Sequence, residues 1–559
     1  MSTSTEKPRT ALGSPQNPSI PEALLERLKD DLANRRIASG IACLQEHAYL
    51  FASLGPDLEN AGRLTGYAAQ WVDLGFDSPA LIEDLLSKFP RSRQAQLPLR
   101  EYSHLRMAQG MLAMAEEEPD AAIQHLNFVL TLAEDLQDQE MLAIANFWKG
   151  RCLRKKAEYG EALTHTLKGQ SLALALGHPK MAAVMSVLES WLLFQKGRST
   201  EARRILQQAE TALQDTDDYV TLGNIHSSYG RIARREGRFD QAIEHFARAI
   251  AEYRRRDSQH RNLARSLANI ALVKRNIALA LREKIDAEAE RRRGAATRGP
   301  KKGNARILQM RERLAQLRQE AFAHLDEAAH IYPHYPNHHG LGSVHLNYGY
   351  LHLDNGDFDR ADVEASTAFE IAEQKTDYIL MARAQLLRCM IANAKLEEEV
   401  AEGADSGSHA RNALNYVKEA IELARRTQHR RLLASAFLWQ GLSQSNAFFD
   451  DFEAARQSYE QATAILKREE PGSLWTDLQA LKARLFRTGT VSPTLRAWTQ
   501  GLVGTKTFQQ LTEEFEDLII PKVWEREGRK VSRVATRLSI SPKKVRRILG
   551  RAVRRKDLG

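Results

Sequence analysis

Cysteine is nearly missing from this chain: three in 559 residues, Cys43, Cys152 and Cys389, far apart and odd in number. That excludes a disulfide framework and a cysteine-built metal centre, and it fits a reducing, cytoplasmic location. No apolar run approaches the about 18 residues that a membrane helix needs, and no charged-then-apolar leader opens the chain. Neither a membrane partner nor secretion is expected. Aromatics are only 7% of residues, and Ala, Leu, Arg, Glu and Gln dominate, which favours helix over sheet. Catalytic signatures are also missing. There is no GxxxxGK[ST] phosphate loop, HExxH, CxxC or GxSxG elbow, and no nucleophile stands at a recognisable spacing from a base. Neither an enzyme nor a cofactor is expected.

Acid is what the C-terminus lacks. From Gly528 to Gly559 there are twelve Lys and Arg against one acid, Asp557, a local net charge of +11. The whole chain carries +9, so all other residues together carry −2. The positive excess therefore belongs to one short segment, and that distribution points to an anionic partner such as nucleic acid.

What the chain does have is repetition. In "HSSYGRIARREGRFDQAIEHFARAI", small residues fall at Gly230, Ala242 and Ala249, a glycine stands at a turn (Gly237), and Phe239 and Phe246 lie between. Gly150, Tyr159, Ala162 and Gly169 repeat the frame, as do Gly349, Gly356, Phe358, Ala361 and Ala368. Weaker copies use Gly110/Ala122, Ser190/Ala202, Ala271/Ala321/Ala328, Cys389/Ala413/Ala420 and Gly441/Ala455/Ala462. The anchors 110, 150, 190 and 230 stand 40 residues apart, and the step from second-helix alanine to next anchor is 28 residues in most of the eight copies. The frame resembles the tetratricopeptide repeat, a helix pair in which small residues permit close approach and aromatics fill the gaps. The resemblance implies an all-α, right-handed superhelical solenoid of about sixteen helices over 95–490, each pair contacting its neighbours. Residues 1–20 read as a disordered tail and 21–94 as a helical cap or degenerate repeat.

Two copies are opened between their helices, near 283–308 and 398–410. The first insertion holds seven basic residues and no acid between Arg291 and Arg306, and reads as an exposed loop. In two first helices a basic cluster closes the C-terminal turn: Arg151, Arg154 and Lys155, then Arg231, Arg234 and Arg235. Such a groove suits a protein or peptide partner offering carboxylates, although a helix C-terminus favours cations for dipole reasons alone. The run "HIYPHYPNHHGLGSVH" concentrates His330, His334, His338, His339 and His345, but no cysteine or paired acid accompanies them at ligand spacing. A metal is not expected.

The tail reads "WEREGRKVSRVATRLSISPKKVRRIL". Ser541 suits an N-cap and Pro542 the first helical position. Val545, Ile548 and Leu549 form an apolar back facing Val534, Ala535, Leu538 and Ile540. Lys543, Arg547, Arg551 and Arg554 form the opposite front, flanked by Lys544 and Arg546. About 35 residues resemble the Fis-type helix-turn-helix, with Lys530, Ser539 and Pro542 departing from its pattern and Pro521 interrupting the preceding helix. "ISPKKV" is also similar to the LuxR-type motif, and the longer lead-in favours Fis. The resemblance places a linker or helix at 491–514 and the module at 515–559. It implies double-stranded DNA as partner, contacted by Ser541, Lys543, Lys544, Arg546, Arg547, Arg551 and Arg554, and a homodimer formed through Leu495–Trp524. The expected function is a DNA-binding transcriptional regulator with a repeat body. The alternative is a scaffold whose basic tail binds an acidic protein or RNA.

Overall fold

A computed structural model describes residues 19–71, 79–294, 301–335, 338–402, 407–446, 448–467, 469–470, 472–488, 498 and 503–556. Among these the protein is all-helical, with a single isolated bridge between Ser19 and Glu59. The chain divides into two compact units, one ending at Leu481 and one beginning at Lys482.

The first unit opens with six helices: α1 (Glu22–Ala33), α2 (Ile37–Glu46), α3 (Ala48–Ala52), α4 (Ala61–Gln70), α5 (Ala80–Ser87) and α6 (Arg91–Gln94). Eight antiparallel pairs follow. They are α7 (Leu99–Ala115) with α8 (Pro119–Asp135), α9 (Gln139–Lys155) with α10 (Tyr159–Ala175), α11 (Pro179–Gln195) with α12 (Ser199–Leu213), and α13 (Tyr219–Arg235) with α14 (Phe239–Arg256). Then come α15 (Arg261–Gly294) with α16 (Lys301–Ile331), α17 (Gly340–Asp354) with α18 (Phe358–Gln374), α19 (Tyr378–Glu402) with α20 (Gly407–Arg425), and α21 (Arg430–Gln444) with α22 (Phe452–Leu466). Helix α23 (Ser473–Thr488) ends the series. From α7 to α22 each helix packs on its chain neighbours, and the first helix of each pair also touches the first helix of the next. The second helices make no comparable contact with one another among the described residues. The first helices therefore form the inner wall of a tetratricopeptide-like solenoid.

The repeat frame is a packing device. Ala122, Ala162, Ala202, Ala242, Ala321, Ala361, Ala413 and Ala455 are all completely buried. A Cβ added at Gly110, Gly150, Gly349 or Gly441 would lie 3.2–3.5 Å from the carbonyl oxygen of the partner alanine (Ala122, Ala162, Ala361 or Ala455). Where the anchor is Ser190, its hydroxyl donates to the carbonyl of Ala202 at 2.9 Å. The turns after α7, α9, α11 and α13 hold Glu117, Ala157, Gly197 and Gly237 in the left-handed region, 40 residues apart. The following amide bonds back into the helix, as Arg238 does to Ala233 at 2.9 Å, which satisfies carbonyls that a helix end leaves open.

Both insertions are helical where described, and residues 295–300 and 403–406 lie outside the described residues. Helix α15 continues to Gly294 and α16 resumes at Lys301, while α19 and α20 leave out only 403–406. The added residues mainly lengthen two helical hairpins, because Ala, Glu, Lys and Arg sustain a helix once a packed pair has nucleated it. The side chains of 292–305 lie outside the described residues.

The solenoid winds far enough to meet itself. The turn at Glu117 reaches the start of α17, where His339 Nδ1 lies 3.0 Å from the Glu117 carboxylate. At the next turn Gln428 donates to the Ala157 carbonyl at 3.1 Å and receives the Gly160 amide at 2.9 Å. At the third, the Glu470 amide donates to Gly197 at 3.3 Å, and its carboxylate receives Thr200 at 3.2 Å. The N-terminal helices fold back on the same body. Asp217 receives the Ile37 and Ala38 amides that open α2, each at 2.7 Å. Asp218 caps α13 and holds the buried Arg35 at 2.7 Å.

Two glycine substitutions separate crowding from backbone strain. Gly150→Val drives a side chain into Thr166, whose hydroxyl would stand 2.6 Å from the first added carbon, and costs about 1–3 kcal/mol or more. Gly237→Ala meets nothing within 4 Å and costs only the left-handed penalty, about 1 kcal/mol. Thermal unfolding midpoints should rank wild type above Gly237→Ala above Gly150→Val.

Candidate nucleic-acid interface and basic inner wall

The second unit closes with α24 (Phe508–Arg526), α25 (Val531–Leu538) and α26 (Pro542–Lys556). Ile520, Val534, Ala535, Val545 and Ile548 form its buried centre, ringed by Val523, Trp524, Leu538, Ile540 and Leu549. Pro521 does not interrupt α24 as expected: the helix runs through it. Ile520, Val523 and Trp524, on either side of the proline, are anchored in this centre, which offsets the one backbone bond a proline removes. Helix α25 ends at Ser539, which takes φ 52°. The Ile540 amide then returns to Ala535 at 3.0 Å, so Ser539 adopts the conformation for which the Fis-type pattern uses glycine. Ser541 caps α26, accepting the Lys544 amide at 3.2 Å.

Helix α26 sorts its cations by angle. At 100° per residue, Lys543, Arg546 and Arg547 cluster on one side, and all three are exposed, with no ion pair among the described residues. Lys544 and Arg551, seven residues apart, share a different stripe that faces α24. Lys544 Nζ lies 2.6 Å from Glu516, and Arg551 lies 2.8 Å from Asp517 with Glu513 and Glu516 beside it. Arg546 thus joins the free front that the sequence had assigned to Arg551, and Lys544 and Arg551 act as an electrostatic seam between helices. The side chain of Arg554 lies outside the described residues.

On the inner wall the two predicted basic clusters bridge successive first helices. Arg154 stacks over Trp191 of the next first helix at 5.0 Å, and Arg151 over Trp148 at 4.1 Å. Arg234 donates to Asn269 of α15 at 2.9 Å, and Arg235 lies 3.4 Å over Phe194 and donates to its carbonyl. Lys155 is taken by Glu117. Three further arginines, Arg261 and Arg265 of α15 and Arg383 of α19, enter the same electrostatic neighbourhood. No sequence cluster flagged them, because none is adjacent to another Lys or Arg. Burial and the charge of Arg265 pull Arg231 down to about 9 and Arg154 and Arg261 to about 10. Burial and Arg383 do the same for Arg234, also to about 10. Burial, with Arg235 and Arg383 nearby, holds His429 down at about 4.

The histidine run found an acid that sequence spacing could not supply. Glu117, contributed by the first repeat, brings its carboxylate to His338 and His339. Burial works to raise its pKa, but the hydrogen bond with His339 and the charges of Lys155 and the histidines prevail and hold it well below the usual carboxylate range. Three groups of metal-ligating type thus converge, but Lys155 already neutralises the carboxylate, so the cluster serves as a clasp between turns of the solenoid.

No protein-family profile matches this chain, and no curated protein matches its sequence. Among solved structures it is similar to a Rap protein complexed with competence and sporulation factor, at 14% identity and TM-score 0.49, over 72% of this chain and 98% of that one. Similarity extends to a human IFIT1 dimer with m7Gppp-AAAA, at 14% identity and TM-score 0.43, over 84% and 94%. The apo form of the quorum sensor NprR from B. thuringiensis aligns at 10% identity and TM-score 0.37, over 80% and 98%. At such identities no ligand of those proteins carries over to this chain. No helix among the described residues is long and apolar enough to cross a membrane.

Ser539 offers a direct check of the module's turn. Ser539→Gly relieves a left-handed serine and should stabilise the C-terminal unit by about 1 kcal/mol, read as slower amide hydrogen exchange at Val534, Ala535 and Ile548.

Proposed function

We propose that this protein is a cytoplasmic DNA-binding regulator whose solenoid receives a controlling partner and whose C-terminal helices contact duplex DNA. One observation carries this reading. Helix α26 is held from behind by Val545 and Ile548, while Lys543, Arg546 and Arg547 stand exposed on its outer face. A recognition helix needs both features, a packed back to fix its angle and a free cationic front for phosphates and base edges. The reading is of a binding protein, since the sequence offers no nucleophile–base constellation.

The module is small for tight binding alone, so we infer a homodimer. Phe508 and Phe515 of α24 are exposed, Phe508 to 85%, and Leu511, Leu518 and Ile519 are half-buried beside them. Sedimentation at micromolar concentration should report a dimer, and a strict monomer in the presence of DNA removes that part of the reading.

Fluorescence anisotropy against salt tests DNA contact residue by residue. Alanine at Lys543, Arg546 or Arg547 should weaken binding without unfolding, and each lost phosphate contact should flatten the salt slope by about one unit. A base-reading side chain should instead cost about 1–3 kcal/mol on the preferred site alone. Arg551→Ala should loosen α26 from α24 and lower the unit's unfolding midpoint. Unchanged affinity in a folded Lys543→Ala/Arg546→Ala/Arg547→Ala variant would show that α26 is not the reader.

A further inference from the structure

We propose that the inner wall around Arg154, Arg231 and Arg265 binds a compact polyanion whose charges are clustered phosphates, either a nucleoside polyphosphate or an inorganic oligophosphate. This goes beyond the DNA-binding reading and does not depend on it. Its first support is an internal contrast. At four places in this unit a shielded arginine meets a carboxylate: Arg35 meets Asp218, Arg63 meets Glu22, Arg275 meets Asp354 and Arg431 meets Glu469. Arg154, Arg231, Arg265 and Arg383 are also shielded, yet none forms an ion pair among the described residues. Charges taken out of bulk water without a partner are costly. Arg154 of α9 and Arg231 of α13 carry this cost on two first helices of the wall, with Arg265 of α15 close to both.

The second support is geometry. Helices α9, α11, α13 and α15 touch in series along the inner wall, and the cations bridge them. Trp191 backs the guanidinium of Arg154, and Asn269 ties α15 to Arg234. A guanidinium held by its flat face keeps its edge N–H groups for an oxyanion, which it meets as a two-pronged fork. Burial and then the charge of the same Arg265 lower Arg154, Arg231 and Arg261, which agrees with a convergence of charge on one place.

That convergence selects the ligand. Carboxylates on one side of an extended peptide recur about every 7 Å, whereas a phosphate chain packs its charges on adjacent groups. A peptide groove also needs amide side chains to hold the peptide backbone, and three asparagines of this wall are spent internally. Asn269 serves the Arg265 carbonyl and Arg234, Asn224 accepts from Tyr253, and Asn146 bonds the Leu142 carbonyl and His165. A compact polyphosphate is the better fit.

The full-length chain is titrated calorimetrically with tripolyphosphate, ATP and an octaglutamate peptide, with unfolding midpoints measured alongside. Both phosphates should bind wild type and raise its midpoint. Arg231→Met and Arg265→Met should each weaken binding at least about tenfold while raising the ligand-free midpoint, because one repelling charge is gone. If either fails to fold, Arg231→Lys, which keeps the charge and loses the fork, should still weaken binding several-fold. The Lys543→Ala/Arg546→Ala/Arg547→Ala variant should bind both phosphates as wild type does, which separates this site from the basic C-terminus. ATP tighter than tripolyphosphate assigns a nucleotide, and equal affinity assigns the phosphate chain itself. The proposal is overturned if neither phosphate binds wild type, if octaglutamate binds in their place, or if Arg231→Met and Arg265→Met keep full affinity. It is also overturned if binding disappears with the α26 cations.

Discussion

The solenoid depends on one short separation, that between the anchor of a first helix and the carbonyl oxygen of its partner alanine. With glycine at the anchor the two backbones close until an added carbon would touch that oxygen, as at Gly150 and Ala162. Serine fits the same place only by bonding the oxygen it would otherwise strike, as Ser190 does with Ala202. This spacing sets how closely the two helices of each pair approach, and its recurrence along the chain makes the stack regular enough for one turn to meet the next.

Much of this was legible in the sequence, because close approach leaves a trace in residue size. The alanine register, the glycine turns and the eight pairs all follow from small residues recurring at a fixed step. Left-handed turns were legible only where glycine holds them. Glu117, Ala157 and Ser539 take the same conformation without announcing it, since a neighbouring hydrogen-bond pattern can impose it on any residue. Around 283–308 the helices run further than a basic, glycine-containing stretch suggests, to Gly294 and again from Lys301.

The binding surfaces were legible to a different degree. On α26 the apolar back and cationic front follow from helical angle, and only the acids of α24 revise the assignment, drawing Arg551 and Lys544 inward. On the inner wall, runs such as Arg151–Lys155 stand out, but Arg265 and Arg383 belong to no basic run. Their meaning comes from winding, which brings residues more than a hundred positions apart to one place. Glu117 and His339, 222 residues apart, show the same limit. No local spacing rule can register a contact made by completing a turn.

That contact changes the mechanics of the body. An open helical-repeat array behaves as a soft spring: it lengthens by small rotations shared among its joints, and its end units fray independently. Here the turns at Glu117, Ala157 and Gly197 are fastened to segments one coil further on, so the coil cannot extend without breaking those fastenings. Elastic compliance is traded for a body that responds as a whole, and strain introduced at one repeat is shared with a repeat five or six along the chain.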